Sequence, residues 1–420
     1  MVASLVENMT MHAQFPERLV EADCLSALPA LVARHGLGAR LLLVADDATW
    51  NAAGAAASAA LDSTLLWQHC RLGKQVKATL AKAEQVMEAT RDYQASGIVA
   101  IGSGTINDLC KYAAAKLAIP YMVVATAASM NGYSSANASL AVGHHKQSFA
   151  ARAPVAVLAD TRVIAHAPKR LTRAGVGDLF CRSTVVADRY LSHCVLGTPF
   201  EGDIFQRLQA HEPWLLANAG LYREMGNTDF ARALMLALLD GGDAMTEVGS
   251  SAVASQGEHM IAHTLELLYG GELRDVLHGE LVAVTTTTMA LLQHQLLLST
   301  PRLKHLAPGM DVFTRFFGRD AGTQMAEQFR AKQIPEAELD AREAAFQRDW
   351  PEIRAQLLGM ILPAGAVERM YLEVGLANKP EGLGLIADRY NAAMSYAYLT
   401  RERFTFLDLG AMNARRAGVL

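Results

Sequence analysis

Two histidines four residues apart, His259 and His263, stand in a stretch that reads as helix: ASQGEHMIAHTLELLYGGELRDVLHGELV, from Ala254 to Val282. Side chains at i and i+4 lie one above the other on a helix face. A third histidine, His278, follows in Leu-His-Gly-Glu. Imidazole is the commonest protein ligand for a borderline metal ion, and Glu258 and Glu280 accompany the rings. The stretch can hold a divalent cation or shuttle protons. The competing reading is that these histidines are packed or surface residues of a half-apolar helix.

A second signal lies far upstream. Asp178 sits in Gly-Val-Gly-Asp, where little side-chain bulk crowds its carboxylate. Alone, an Asp after Gly at a helix start reads as a cap. Beside His259 and His278 it completes a set of one carboxylate and two imidazoles. Three ligands leave a coordination position open, as a catalytic zinc-type site requires. A substrate oxygen can take that position, and the cation then stabilises charge that builds on it. His263, one turn beyond His259, would lie beside the site as a proton relay or supporting group. The spacing equally allows His263 as the ligand and His259 as its neighbour.

The elements that must position these groups fall into two kinds. In the first part of the chain, strand and helix patterns alternate. Ser26–Ala33 reads as a short helix, and Arg40-Leu-Leu-Leu-Val-Ala45 as a buried parallel strand stopped by Asp46-Asp47. An acidic residue just past a strand's carboxyl end can bond a ribose diol; Asp47 or Thr49 would serve as the cap of the helix that follows, Trp50–Leu61. Helix resumes over Ala78–Gln94. The strand Gly97–Gly102 then runs into Gly102-Ser-Gly104-Thr-Ile-Asn107-Asp108 and a helix through Lys116. A strand, glycine turn and helix in that order present bare N–H groups at the positive helix end, where pyrophosphate binds. The third glycine of the longer fingerprint is missing, and a tight turn with no ligand is the alternative. The strand Pro120–Ala125 delivers a loop of hydroxyls and small residues, Thr126 to Ser135, and Val155–Asp160 is a further strand. This order predicts a mostly parallel, Rossmann-like sheet over roughly residues 20–165. Residues 1–20 and 300–345 show no clear element.

From Pro168 on, strand signals nearly vanish. Helices are predicted from Arg173 through Tyr190 and at 201–223, 228–249, 256–269, 279–298, 346–360, 364–375 and 381–400. Ala233–Leu239, apolar all round, reads as a central core helix. The division expected is an α/β domain, 1–167, for dinucleotide, and an all-α domain, 168–420, for metal and substrate. A length of 420 residues suits two or three domains, and a net charge of −4 without a basic block argues against nucleic acid. Five cysteines without CxxC spacing point to a reducing compartment and away from a thiolate zinc site. Neither a signal pattern nor a membrane-spanning apolar run stands out, so a cytoplasmic protein is expected.

Taken together, Gly-Ser-Gly-Thr-Ile-Asn-Asp (102–108), Thr-Ala-Ala-Ser-Met-Asn-Gly-Tyr (126–133), Ala-Gly-Val-Gly-Asp-Leu (174–179), Gly-Glu-His-x-x-x-His (257–263) and Leu-His-Gly-Glu (277–280) resemble sn-glycerol-1-phosphate dehydrogenases. These belong to the superfamily of dehydroquinate synthases and iron-type alcohol dehydrogenases, and the likeness runs from about Leu41 to Arg403–Asp408. The resemblance implies NAD or NADP on the N-terminal sheet, with Asp46 near the adenosine ribose and Gly102, Ser103 and Gly104 under the pyrophosphate. It puts Asp108 of the same motif among the cofactor contacts, and Thr126 and Ser129 near the reactive end. It implies a divalent metal, zinc or nickel, held by Asp178, His259 and His278. The iron-type branch would place a histidine where Arg182 stands, and dehydroquinate synthases usually carry Glu where Asp178 stands. The family usually has Asp where this chain has Asn131, beside the substrate, Pro and Gly where it has Val253 and Gln256, and Pro-Thr where it has Ala125-Thr126.

The expected function is a metal-dependent, NAD(P)-linked oxidoreductase acting on a small phosphorylated polyol, glycerol-1-phosphate and dihydroxyacetone phosphate foremost, in a homo-oligomer. His263 would relay the proton, and Asn131 would act at the substrate. Two alternatives remain open: a dehydroquinate synthase-like cyclase or lyase that uses NAD transiently, and a non-catalytic ligand-binding homologue.

Overall fold

The structure, a computed structural model, describes residues 15–61, 65–142, 145–224, 226–363 and 365–414. It divides into two compact units. The first comprises Met1–Val142, Gln147–Ala167 and Leu238–Ser250; the second comprises Gly143–Lys146, Pro168–Ala237 and Ser251–Leu420.

The first unit is built on a six-stranded parallel sheet. Its strands are β1 (Glu17–Glu21), β2 (Arg40–Ala45), β3 (Leu66–Arg71), β4 (Gly97–Gly102), β5 (Tyr121–Ala125) and, after the β6 (Asn137–Val142) and β7 (His145–Ala150) pair, β8 (Ala156–Asp160). The order across the sheet is β1-β8-β5-β4-β2-β3. β4, β5 and β8 are buried along their whole length, as continuous apolar runs in a doubly covered parallel sheet must be. The helix α1 (Gly104–Leu117) follows β4 directly. From β2 the chain goes to β3 on one side, then to β4 on the other. The carboxyl ends of β2 and β4 therefore flank a reversal of strand order, where open α/β sheets take their ligands.

Three features depart from the pattern read in the sequence. β1 lies where no element was expected. It pairs in parallel with β8 as an edge, Glu17 opposite Ala156, and its polar Glu17 and Arg18 are answered by ion pairs to His35 and Asp240 while Glu21 is exposed. β3 is the other edge, with Leu66, Trp67, Gln68 and His69 exposed and only Cys70 buried, so it carries no apolar run to find. The residues after the hydroxyl-rich loop form the two-stranded β6–β7 sheet.

The second unit is helical among its described residues. The helices that matter for the site are α2 (Lys169–Phe180), α3 (Arg182–Leu196), the first part of α4 (Thr228–Val248), α5 (Gly257–Tyr269), α6 (His278–Leu297), α7 (Ala387–Ala397) and α8 (Phe406–Asn413). The helix expected through Tyr190 is two helices that break at Cys181, so Asp178 lies in the last turn of α2 and not at a helix start. Residues 201–223 are four short helical pieces rather than one helix. The polar stretch 300–345 folds as helices Met310–Phe317, Arg319–Ala331 and the start of Glu336–Met360. Leu234, Met235, Ala237, Leu238 and Leu239 of α4 are all buried, as an all-round apolar helix demands.

α2 and α6 cross at backbone contact. A Cβ on Gly177 would lie 2.0 Å from Gly279 O, and one on Gly279 would lie 1.8 Å from Ala174 O. Only hydrogen fits at either position. Gly177 precedes Asp178 and Gly279 follows His278, so the same crossing brings those two side chains together.

Candidate functional site

In the first unit, Asp46 sits half-buried at the carboxyl end of β2. Its Oδ1 accepts from Thr49 N at 2.7 Å and Thr49 Oγ1 accepts from Asp46 N at 3.1 Å, a capping box. Asp46 is therefore itself the cap, a role the sequence left to Asp47 or Thr49. Across the strand reversal, β4 ends at Gly102, and Ser103 is the N-cap of α1 without a side-chain bond to the helix. The first amide donors of α1 are thus left to another partner, beside the positive end of the helix dipole. Gly102 tolerates no side chain, since its Cβ would meet Ile106 Cβ at 2.6 Å, and one on Gly104 would press on Met130 Cγ at 3.1 Å. Asp108, one turn into the helix, lies 3.9 Å from Lys111 Nζ.

The loop that follows β5 starts at the same edge. Thr126 is buried, and its N–H donates to Gly102 O at 3.2 Å. Ser129 is half-buried, and Asn131 is buried. Lys111 pins this loop from below: its Nζ donates to Gly132 O at 2.6 Å, Ser135 Oγ at 3.2 Å and Asn137 O at 3.1 Å. Burial lowers its pKa to about 8. The second half of α4 closes on the loop from another side, with Ser134 Oγ donating to Leu239 O at 2.9 Å and Thr246 Oγ1 to Ser134 O at 3.2 Å. Gly242 permits the approach, because its Cβ would lie 2.8 Å from Asn131 O. The loop is thus fixed by a buried lysine and by the helix expected over 228–249, holding roles that the sequence did not announce.

In the second unit, Asp178, His259 and His278 converge. One ligand atom from each lies within 4.8 Å of the others. His259 Nε2 stands 3.5 Å from Asp178 Oδ1. His259 Nδ1 stands 2.8 Å from Glu258 Oε1, which also accepts from Gln256 N at 2.8 Å, while Glu258 Oε2 accepts from Thr184 Oγ1 at 3.1 Å. Three donors hold Glu258 in place, and Glu258 holds the proton on His259 Nδ1. Nε2 is thereby turned toward Asp178, and it is the nitrogen through which the ring would bind a metal. Burial opposes charge on His259, yet its bonds to Asp178, Cys181 and Glu258 outweigh that and raise its pKa well above the usual value. The pocket therefore favours positive charge at the ring. His278 Nδ1 is buried without a hydrogen-bond partner among the described residues, its nearest carboxylate, Glu266 Oε1, being 3.5 Å away. One carboxylate and two imidazoles, one of them orphaned, suit a divalent borderline ion.

A second group, Cys181, Glu258 and His259, also converges. Its donors are already engaged: Glu258 as above, and the Cys181 thiol by Asp178 O at 3.1 Å. Burial pushes the Cys181 pKa up to about 12, so it is a neutral thiol.

His263 belongs to neither group. Its ring centroid lies 5.9 Å from His259 and stacks on His278 at 5.4 Å. Its Nδ1 meets Glu266 Oε2 at 3.1 Å. Burial lowers its pKa to about 3 against the pull of Glu266, so the ring is neutral. Glu266, lying between His263 and His278, was not anticipated, although its i+3 spacing from His263 was readable. Glu280 departs from its expected place beside the rings: it receives two bonds from Arg170 at 2.6 Å and caps α6 through Leu277 N at 2.9 Å. Arg182 is buried and donates to Leu208 O at 3.0 Å and Ala237 O at 2.6 Å, so it serves the helix packing.

The profile of the iron-containing alcohol dehydrogenase family matches residues 19–168. The chain is 37% identical over 216 residues to the glycerol-1-phosphate dehydrogenase (NAD(P)+) of Pyrococcus abyssi, covering 51% of this chain and 61% of that one. It is 32% identical over 280 residues to the enzyme of the same name from Thermococcus kodakarensis, covering 66% of this chain and 78% of that one. The first of these matches thus spans about three fifths of the relative's length. Among solved structures, a probable glycerol dehydrogenase from Sinorhizobium meliloti 1021 superposes with a TM-score of 0.62 at 20% identity, over 94% of this chain and 92% of that one, a likeness of fold. No helix among the described residues is long and apolar enough to cross a membrane.

Proposed function

The chain belongs to the glycerol-1-phosphate dehydrogenase family, and from that premise we propose that it is a metal-dependent, NAD(P)-linked oxidoreductase. Its substrate is a small phosphorylated polyol and the matching ketone, sn-glycerol-1-phosphate and dihydroxyacetone phosphate in the first place. The observation that carries this reading is the convergence of Asp178, His259 and His278 within 4.8 Å, with His259 Nδ1 anchored on Glu258 so that Nε2 faces Asp178. These three residues would hold the ion, zinc or nickel. When bound, the ion supplies Lewis acidity for charge developing on a substrate oxygen, and the nicotinamide ring supplies the hydride acceptor and donor.

The chain's own groups do the rest. Asp46 at the end of β2 accepts from the adenosine ribose through the carboxylate oxygen that Thr49 leaves free. Gly102, Ser103 and Gly104 let the pyrophosphate reach the uncapped amides of α1. Thr126 and Ser129 line the nicotinamide end, with Asp108 and Lys111 supporting the loop from α1. His263 stays neutral and relays: its Nε2 takes the proton of the substrate hydroxyl while Nδ1 passes its own to Glu266 Oε2. Such a relay needs no stable imidazolium, which fits the lowered pKa of the ring. Asn131 offers an amide where the family has an acid, so it orients substrate without exchanging a proton.

A homo-oligomer in a reducing, cytoplasmic setting completes the proposal. All five cysteines are free, and exposed Leu291 on α6 and Leu298 just past its end are surface that a second copy would cover.

Metal analysis of the purified chain followed by a cofactor-coupled screen of polyols tests the reading. About one divalent ion per chain and stoichiometric change at the reduced-nicotinamide band with glycerol-1-phosphate are expected. His259→Ala should lose metal and turnover together. Turnover by metal-free protein would reject the scheme, and product without net nicotinamide change would turn it to a cyclase.

A further inference from the structure

Asp188, midway along α3, is a fully buried carboxylate. Its Oδ2 accepts from Gly257 N at 2.9 Å. Its Oδ1 accepts from Phe406 N at 2.9 Å and from Gln293 Nε2 at 3.4 Å. Gly257 is the first residue of α5, and Phe406 is the first of α8. The positive ends of two helices therefore meet on one acid. α5 has no cap of its own: Gln256, at its N-cap, makes no side-chain bond to the helix, and its amide donates to Ala252 O at 2.7 Å instead. The cap of α5 is supplied by α3.

Thr184 stands one turn before Asp188 on the same face of α3. Its Oγ1 donates to Glu258 Oε2 at 3.1 Å, and its backbone O accepts from Gln293 Nε2 at 2.9 Å. α3 thus grips two consecutive residues of the first turn of α5, the backbone of Gly257 and the side chain of Glu258, and His259 is the next residue. The contact is tight. A Cβ on Gly257 would lie 2.9 Å from Asp188 Oδ2 and 2.5 Å from Met289 Cε of α6, so a side chain there would push the carboxylate off the amide. α3 follows α2 directly at Cys181, so the helix that holds the start of α5 continues from the one that carries Asp178. The 3.5 Å between His259 Nε2 and Asp178 Oδ1 is set across that junction. Burial and the charge of Glu258 raise the Asp188 pKa, and its three donors act against the rise. A buried acid is costly, but amides left unanswered in the same interior would be costly too.

We propose that Asp188 is a positioning residue for the metal group: it fixes the start of α5, and with it the place of His259 against Asp178, and it ties α8 to the same point. The assignment rests on the reading of Asp178, His259 and His278 as metal ligands. Its role differs from that of Glu258. Glu258 orients the imidazole, whereas Asp188 places the backbone that carries it. Because its partners are all donors, the position requires an acceptor on each oxygen. A side chain without them releases the first amide of α5, and the turn that carries His259 is then free to shift away from Asp178.

The test loads the metal-free full chain with Co(II). Affinity is read by competition with a chromogenic chelator, and geometry by the visible ligand-field bands, for wild type, D188A and W350F. D188A should bind Co(II) roughly 10- to 100-fold more weakly, as when a ligand loses its support, and its bands should shift as His259 stands off Asp178. W350F is the control for stability. It loses the bond from Trp350 Nε1 to Ser299 O at 3.0 Å, at the opposite end of α6 from His278. It should melt at a lower temperature with wild-type affinity and bands. Where D188A does not fold, G257A decides in its place, since its methyl wedges into the same contact, and the same weakening and shift are expected. Wild-type affinity and bands in the deciding variant overturn the proposal, as does a loss that W350F shares at equal loss of melting temperature. Wild type that binds no Co(II) rejects the metal reading itself, and the role of Asp188 falls with it.

Discussion

At the scale of single residues, the site depends on a carboxylate that never faces the substrate. Glu258 is fully buried, and its two oxygens receive bonds from Gln256 N, His259 Nδ1 and Thr184 Oγ1. Glu258→Gln keeps the volume but turns one acceptor into a donor, so at least one of those three donors loses its partner. With the charge gone, His259 also loses the group that fixes its tautomer. Metal affinity should fall roughly 10- to 100-fold, the usual cost of losing a ligand's supporting acid, as read by competition with a chromogenic chelator. Affinity unchanged in E258Q would remove Glu258 from that role. The side chains of the Asp178–His259–His278 group stood out in the sequence as candidates because their types are scarce: one Asp after Gly-Val-Gly and His in short motifs, although spacing alone left His259 and His263 as alternatives. Their supporting acids were not separable. Glu258 and Glu280 both stand within two residues of a histidine in the chain, yet one points at a ring and the other at Arg170. Sequence adjacency does not say which way a side chain turns, and partners such as Arg170 and Lys111 are chosen by the tertiary fold.

At the scale of elements, the group is assembled by a helix crossing. His259 comes from α5, while Asp178 and His278 come from α2 and α6, which meet with no side chain between them at Gly177 and Gly279. Gly279→Ala puts a methyl 1.8 Å from Ala174 O, so the two helices must part and carry His278 away from Asp178. Overpacking of this kind costs about 1–3 kcal/mol or more. G279A is expected to lower the melting temperature and to lose most of its bound metal. Gly271→Ala, whose Cβ meets nothing within 4 Å, is the control and should keep both. Metal bound at wild-type stoichiometry by a destabilised G279A would show that the crossing supports the fold without setting the site. These glycines are conspicuous in the sequence, but periodicity cannot tell which helix another one meets. The same limit explains the strands. β2, β4, β5 and β8 announce themselves as apolar runs because both of their faces are covered. β1 and β3 sit at the edges with polar side chains, and pairing with a neighbour, not their own composition, makes them strands.

At the scale of the molecule, each unit has its own reason to be stable. The core of the first packs Leu28, Leu41, Leu43, Val99, Ile101 and Leu158 among others. The three residues assigned to the metal all lie in the second unit. A ligand that binds the folded state alone stabilises it by RT ln(1 + [L]/Kd), about 2.7 kcal/mol at a hundredfold excess over Kd. Chelation should therefore remove that increment from the second unit, where the free imidazoles and Asp178 are left facing one another. Hydrogen exchange followed by mass spectrometry reads this out by segment. Faster exchange is expected in α2, α5 and α6 after chelation, with β2, β4, β5 and α1 unchanged. NAD added to the chelated protein should protect the turn after β4 and the 126–136 loop and leave α5 and α6 as they are. The later half of α4 is the sharpest reporter. Leu238–Ser250 clusters with the first unit although the helix begins in the second, and Ser134 and Arg18 bond to it there. Its amides should follow β4 and not α5. Equal acceleration in the sheet and in the helices on chelation would mean that the chain opens as one cooperative body, and the metal would then be holding the whole fold.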